Sequence, residues 1–74
     1  MINKIIQIIG SISEVPEEEI SMESRLREDL KLDSLSAVEI AMAVEDEFEV
    51  EVSDDVAEGF VTVEDIVNYI SEIK

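Results

Sequence analysis

The chain has 74 residues, the length of one small domain, and twenty Asp and Glu against five Lys and Arg give it a net charge of −15. Such a surface repels nucleic-acid phosphates and anionic lipid headgroups, so neither is an expected partner, and proteins that bind it should carry basic patches. Cys, His and Trp are absent, which excludes disulfides, thiol nucleophiles, Ser-His triads and zinc sites built on sulfur or imidazole.

High net charge alone favours disorder, but 46% of the residues are hydrophobic and there are only two Gly and one Pro. A core can form, and the chain is expected to fold as a single domain over residues 1–74. Its stability margin should be thin, because a domain of this size buries only about 60% of the surface its unfolded chain exposes. Self-repulsion favours a monomer. No targeting segment stands out. The apolar start Met1-Ile2-Asn3-Lys4-Ile5-Ile6-Gln7-Ile8-Ile9-Gly10 is interrupted by Asn3 and Gln7, and the acids from Glu14 to Glu19 follow soon after. No apolar run is long enough to span a bilayer. The expectation is a soluble, cytoplasmic protein without membrane insertion.

In chain order, Ile2, Ile5, Ile6, Ile9 and Ile12 recur at the spacing of one helical face. Ser13-Glu14-Val15-Pro16 should end that helix, since a residue before proline avoids the helical region. Residues 14–33 keep no period. Val15, Ile20, Met22, Leu26 and Leu30 punctuate them, as in a long connection pinned to a core and holding at most a turn or two of helix. The clearest helix runs from about Leu35 to Glu49. Ser36-Ala37-Val38-Glu39 reads as its capping box, with Asp33 and Ser34 as rival caps. Val50-Glu51-Val52 reads as an extended link. Ser53-Asp54-Asp55 should open a short helix closed by Gly59, and Thr62-Val63-Glu64-Asp65 should cap a last helix carrying Val63, Ile66, Val67, Ile70 and Ile73. Acids at the start of that helix and Lys74 at its end suit the macrodipole. With no convincing strand pair, the expected fold is an all-α four-helix bundle of three longer helices and one short one, with a long loop after the first.

The helix from Leu35 carries two apolar stripes. At about 100° per residue, Ile40, Val44, Phe48, Ala37 and Ala41 fall on one side, a core stripe. Leu35, Val38 and Met42 cluster at roughly 160–220° from Ile40, on the opposite side, with Glu39 and Asp46 on one edge, Glu45 on the other and Glu49 within the stripe. An apolar strip rimmed by acids reads as a partner-binding surface. The competing reading is that the long connection covers it.

Ser34 has no base to activate it, which speaks against a small hydrolase. As a residue at a helix start it serves either as a cap or as an attachment point for a phosphate. A further reading of the chain as an acidic adapter or cation-binding protein finds no calcium loop of the Asp-x-Asp-x-Asp-Gly type.

Leu30-Lys31-Leu32-Asp33-Ser34-Leu35-Ser36-Ala37-Val38-Glu39 resembles the Asp-Ser-Leu attachment motif of discrete acyl carrier proteins. The likeness runs on through Ile40-Ala41-Met42-Ala43-Val44-Glu45-Asp46-Glu47-Phe48 and Val52-Ser53-Asp54-Asp55 to Asp65-Ile66-Val67-Asn68-Tyr69-Ile70. The resemblance implies that Ser34 bears 4′-phosphopantetheine, drawn from coenzyme A, with Asp33 assisting the phosphopantetheinyl transferase. It implies that Leu35, Val38, Met42, Glu39, Glu45 and Asp46 meet basic patches on acyl-transferring and chain-processing synthase enzymes. It also implies that Ile40, Val44, Phe48, Val52, Ala57, Phe60, Ile66 and Tyr69 line a core able to take an acyl chain. The role implied is a non-catalytic carrier in fatty acid biosynthesis, or in a polyketide or other specialised acyl pathway. Lys31 and Leu32 depart from the fatty-acid pattern, where Gly and Ala are common, and bear on pathway and partner choice more than on the carrier role.

Overall fold

The computed structural model describes residues 1–73, so Lys74 and its expected place at the helix end lie outside the described residues. Helix α1 (Ile2–Ser13) turns Ile5 and Ile9 fully inward, with Ile6, Ile8 and Ile12 packed against the core. It stops at Glu14, whose N–H still donates to the Gly10 carbonyl while its left-handed backbone (φ 60°) turns the chain out of the helix. Gly10 is needed for a close approach: a Cβ there would meet the Val15 carbonyl at 3.2 Å.

The long connection is ordered by its apolar side chains. It holds one 3-10 turn, Glu17–Glu19, and buries Ile20, Leu26, Leu30 and Leu32. Backbone bonds then tie it to the segment before the last helix. The Leu26 N–H donates to Val61 O (2.8 Å), Val63 N–H to Ser24 O (3.1 Å) and Glu64 N–H to Met22 O (3.0 Å). Arg25 and Thr62 thereby form an isolated antiparallel bridge, which apolar periodicity had not signalled.

Helix α2 (Ser34–Phe48) begins and ends one residue before the expected bounds. Its cap is Asp33, whose Oδ1 accepts the Ser36 N–H at 2.8 Å. The expected capping box at Ser36 and Glu39 is therefore corrected: Ser36 lies inside the first turn and donates to the cap. Helix α3 (Asp54–Glu58) starts at Ser53, whose hydroxyl accepts the Val56 N–H. Gly59 closes it with a right-handed backbone (φ −80°). Helix α4 (Val63–Ile73) has a reciprocal cap, in which Thr62 Oγ1 accepts from Asp65 N–H (3.3 Å) and Asp65 Oδ2 accepts from Thr62 N–H (3.1 Å).

Helix α2 packs on α1 and α3, and α1 packs on α4. Ile5, Ile9, Ile40, Val44, Val63, Ile66 and Ile70 form the fully buried centre. Among the described residues there are four helices, three long and one short, and no strand. This is the expected small helical bundle.

Three expected core aromatics are only half-buried. Phe48 is the last residue of α2 and packs on the rim of the cluster. Phe60 and Tyr69 meet edge to face, centroids 5.8 Å apart, and the Tyr69 hydroxyl donates to Glu51 O at 2.8 Å. A phenol that must satisfy its hydroxyl stays near the surface.

Lys31 and Leu32 act on stability in opposite ways. Lys31 has a left-handed backbone (φ 58°), a conformation that strains L residues and suits glycine. A glycine at this position would adopt the same conformation without that strain. Leu32 is buried and fills core volume. Leu32→Ala should destabilise the fold by roughly 2–5 kcal/mol through the cavity it leaves. Lys31→Gly should leave stability unchanged or raise it by up to about 1 kcal/mol, as relieved strain outweighs the added freedom of the unfolded chain. Urea unfolding of both variants checks the pair. Equal losses would contradict this backbone geometry.

Candidate functional site

The start of α2 assembles three residues with separate tasks. Leu32 points into the core, Asp33 caps the helix, and Ser34 is the first helical residue, with its side chain exposed. Because Asp33 does the capping, the Ser34 hydroxyl is not used to satisfy the helix. Its side-chain partner is Arg27, whose Nη2 donates to Ser34 Oγ at 3.3 Å. A guanidinium offers donors only and cannot take a proton, so this pairing does not activate the serine as a nucleophile within the chain.

Accepting the Ser36 N–H, and next the Ser36 hydroxyl, holds the Asp33 carboxyl below its ordinary range. Its ionised form is thus favoured by folding. That contribution is complete above the ordinary aspartate range and is lost as the pH falls through the lowered value.

The second apolar stripe of α2 faces water. Leu35 is 68% exposed, Met42 61% and Val38 37%, so the long connection does not cover them. Glu39 and Asp46 are exposed beside this strip. Glu45 differs. It is half-buried, and its Oε2 accepts the Val52 N–H at 3.0 Å, which ties the segment after α2 back to the helix. Part of its carboxylate therefore serves the fold.

Of the residues expected around an acyl chain, Ile40, Val44, Val52, Ala57 and Ile66 are buried, while Phe48, Phe60 and Tyr69 ring them half-buried. A surface cavity of about 300 Å³ opens beside them, lined by Glu45, Glu51, Val52, Ser53 and Tyr69. Among the described residues no group of three His, Cys, Asp or Glu side chains is placed to hold a metal ion. No helix of the described residues is long and apolar enough to cross a membrane.

Arg27 did not enter the reading of the sequence. Its signal was the crowding of Arg25, Arg27 and Lys31 just before Asp33, in a chain with only five cations.

Comparison with known proteins bears on the same region. The family model for the phosphopantetheine attachment site matches residues 3–70. An acyl carrier protein of Clostridium perfringens (strain SM101 / Type A) is 50% identical over 72 residues, covering 97% of this chain and 95% of that protein. One of Campylobacter jejuni subsp. jejuni serotype O:23/36 (strain 81-176) is 51% identical over 55 residues, covering 74% of this chain and 71% of the relative. One of Thermobifida fusca (strain YX) is 42% identical over 72 residues, covering 97% and 91%. The match extends over nearly the whole helical bundle, and the chain belongs to the acyl carrier protein family, whose members bear phosphopantetheine and act as carriers rather than catalysts.

Proposed function

We propose that Ser34 is the attachment point and that this protein holds acyl intermediates on the arm and presents them to enzymes of fatty acid biosynthesis in the cytoplasm. The carrying observation is the spare hydroxyl: Asp33 satisfies the helix start, which leaves Ser34 Oγ exposed at the first helical residue. A helix N-terminus and a nearby guanidinium both favour the phosphodiester charge, so the residues present fit the group.

In loading, Ser34 Oγ forms a bond to phosphorus of the coenzyme A pyrophosphate. The bridging P–O bond breaks and adenosine 3′,5′-bisphosphate leaves. The hydroxyl proton passes to a base of the phosphopantetheinyl transferase, and Arg27, a donor only, does not take it. Once bound, the group supplies a terminal thiol that forms the acyl thioester. The chain supplies the handle, the recognition face and apolar surroundings. Incubation with transferase and coenzyme A should add one group per chain, seen by intact mass, and Ser34→Ala should add none. Labelling that persists in Ser34→Ala, for instance at Ser36, would reassign the site.

The partner face is the strip Leu35, Val38 and Met42 with Glu39 and Asp46, and Glu45 at its structured edge. Support comes from three apolar side chains held in water beside acids, which suits enzymes with basic patches. The acyl chain lodges among Ile40, Val44, Val52, Ala57 and Ile66, under the rim of Phe48, Phe60 and Tyr69. Met42→Ala should keep stability within about 0.5 kcal/mol, as exposed substitutions do, while impairing loading or acyl transfer. Glu39→Lys should slow association with a basic partner and flatten its salt dependence. Thermal melts alongside transfer kinetics separate the two effects. An early melt of Met42→Ala would show that the strip serves the core.

A further inference from the structure

Two arginines of the long connection have different engagements. Arg25 is occupied by acids of its own loop, with Nη1 2.6 Å from Glu28 and Nε 3.8 Å from Asp29. Arg27, among the described residues, forms no ion pair, and its guanidinium is turned to Ser34 Oγ across seven positions of sequence. In a chain of net charge −15, an arginine aimed at a neutral hydroxyl is poorly used by the fold, because that bond is long and its acceptor carries no charge. The position is nevertheless anchored. The adjacent Leu26 is buried, and its N–H donates to Val61 O at 2.8 Å.

Any phosphate bonded to Ser34 Oγ is formed within reach of this guanidinium, where the contact becomes a hydrogen-bonded ion pair. It also adds an anion next to the ionised Asp33, a repulsion that a cation at this point offsets. We infer that Arg27 is a positioning residue for the prosthetic group, holding the phosphodiester on Ser34 against the loop. The inference rests on Ser34 being the attachment point.

The test uses full-length protein loaded by a purified phosphopantetheinyl transferase from coenzyme A, as wild type, Arg27→Gln, Arg27→Lys and the charge-matched control Lys4→Gln. Intact mass reports loading, and NMR reports the arm through its ³¹P resonance and the Arg27 Nε–Hε signal. Loading should shift the Arg27 Nε–Hε signal of the wild type. Arg27→Gln should move the ³¹P resonance and remove its dependence on NaCl, Arg27→Lys should keep part of both, and Lys4→Gln should match the wild type. Loaded Arg27→Gln with an unmoved ³¹P resonance, or a wild-type Arg27 signal unchanged by loading, overturns the inference and leaves Ser34 as the attachment point. Should Arg27→Gln resist loading, the wild-type Arg27 signal decides alone. Wild type that gains no mass overturns the Ser34 reading and this inference with it.

Discussion

The carboxylate of Asp33 accepts the Ser36 N–H, and that bond sets the residue at which α2 begins. The remaining geometry of the site follows from this register. Leu32, just before the cap, turns into the core, and Ser34, just after it, stands in solvent as the first helical residue. A helix turns by about 100° per residue, so the apolar spacing along α2 divides it into an inward and an outward face. Ile40, Ala41 and Val44 are buried, while Leu35, Val38 and Met42 are left to water. The attachment point and the recognition strip thus lie on one helix, whose start is fixed by a single cap.

Holding this arrangement is demanding for a chain of net charge −15 with so small a core. The long connection meets the demand with buried Ile20, Leu26, Leu30 and Leu32, and with backbone bonds to residues 61–64. It therefore behaves as a fixed wall rather than a slack tether. The cost is local. Glu14, Lys31 and Glu49 each adopt a left-handed backbone without being glycine, two of them to end helices and one to turn the chain into the site. The turn at Lys31 precedes both the burial of Leu32 and the cap at Asp33, so a strained residue sits immediately before the site.

Periodicity made the helices and the two-faced nature of α2 legible, because apolar spacing reports directly on which side of a helix can be buried. The Thr62–Asp65 cap was legible for a similar reason, since both partners lie within one turn. The start of α2 was less so: Asp33-x-x-Ser36 and Ser36-x-x-Glu39 both satisfy local capping chemistry, and packing of Leu32 favours the former. Phe48, Phe60 and Tyr69 were expected deeper than they lie, since hydrophobicity does not reveal a helix end or a phenol that needs an acceptor. Glu45 holding Val52 and Arg27 reaching Ser34 were hidden, because each spans seven residues through an irregular backbone. The family resemblance pointed to Ser34 without revealing which neighbour would carry the helix cap.

The most direct measurement of this account is a ¹³C NMR titration of the Asp33 side-chain carboxyl in the folded protein. A cap that accepts the Ser36 N–H favours the carboxylate, so the titration midpoint should fall below the ordinary aspartate range, and the Ser36 amide resonance should move with it. An ordinary or raised midpoint, with a Ser36 amide that does not respond, would mean that Asp33 does not set the start of α2. The placement of Leu32 and Ser34 on either side of that start would then require another cause.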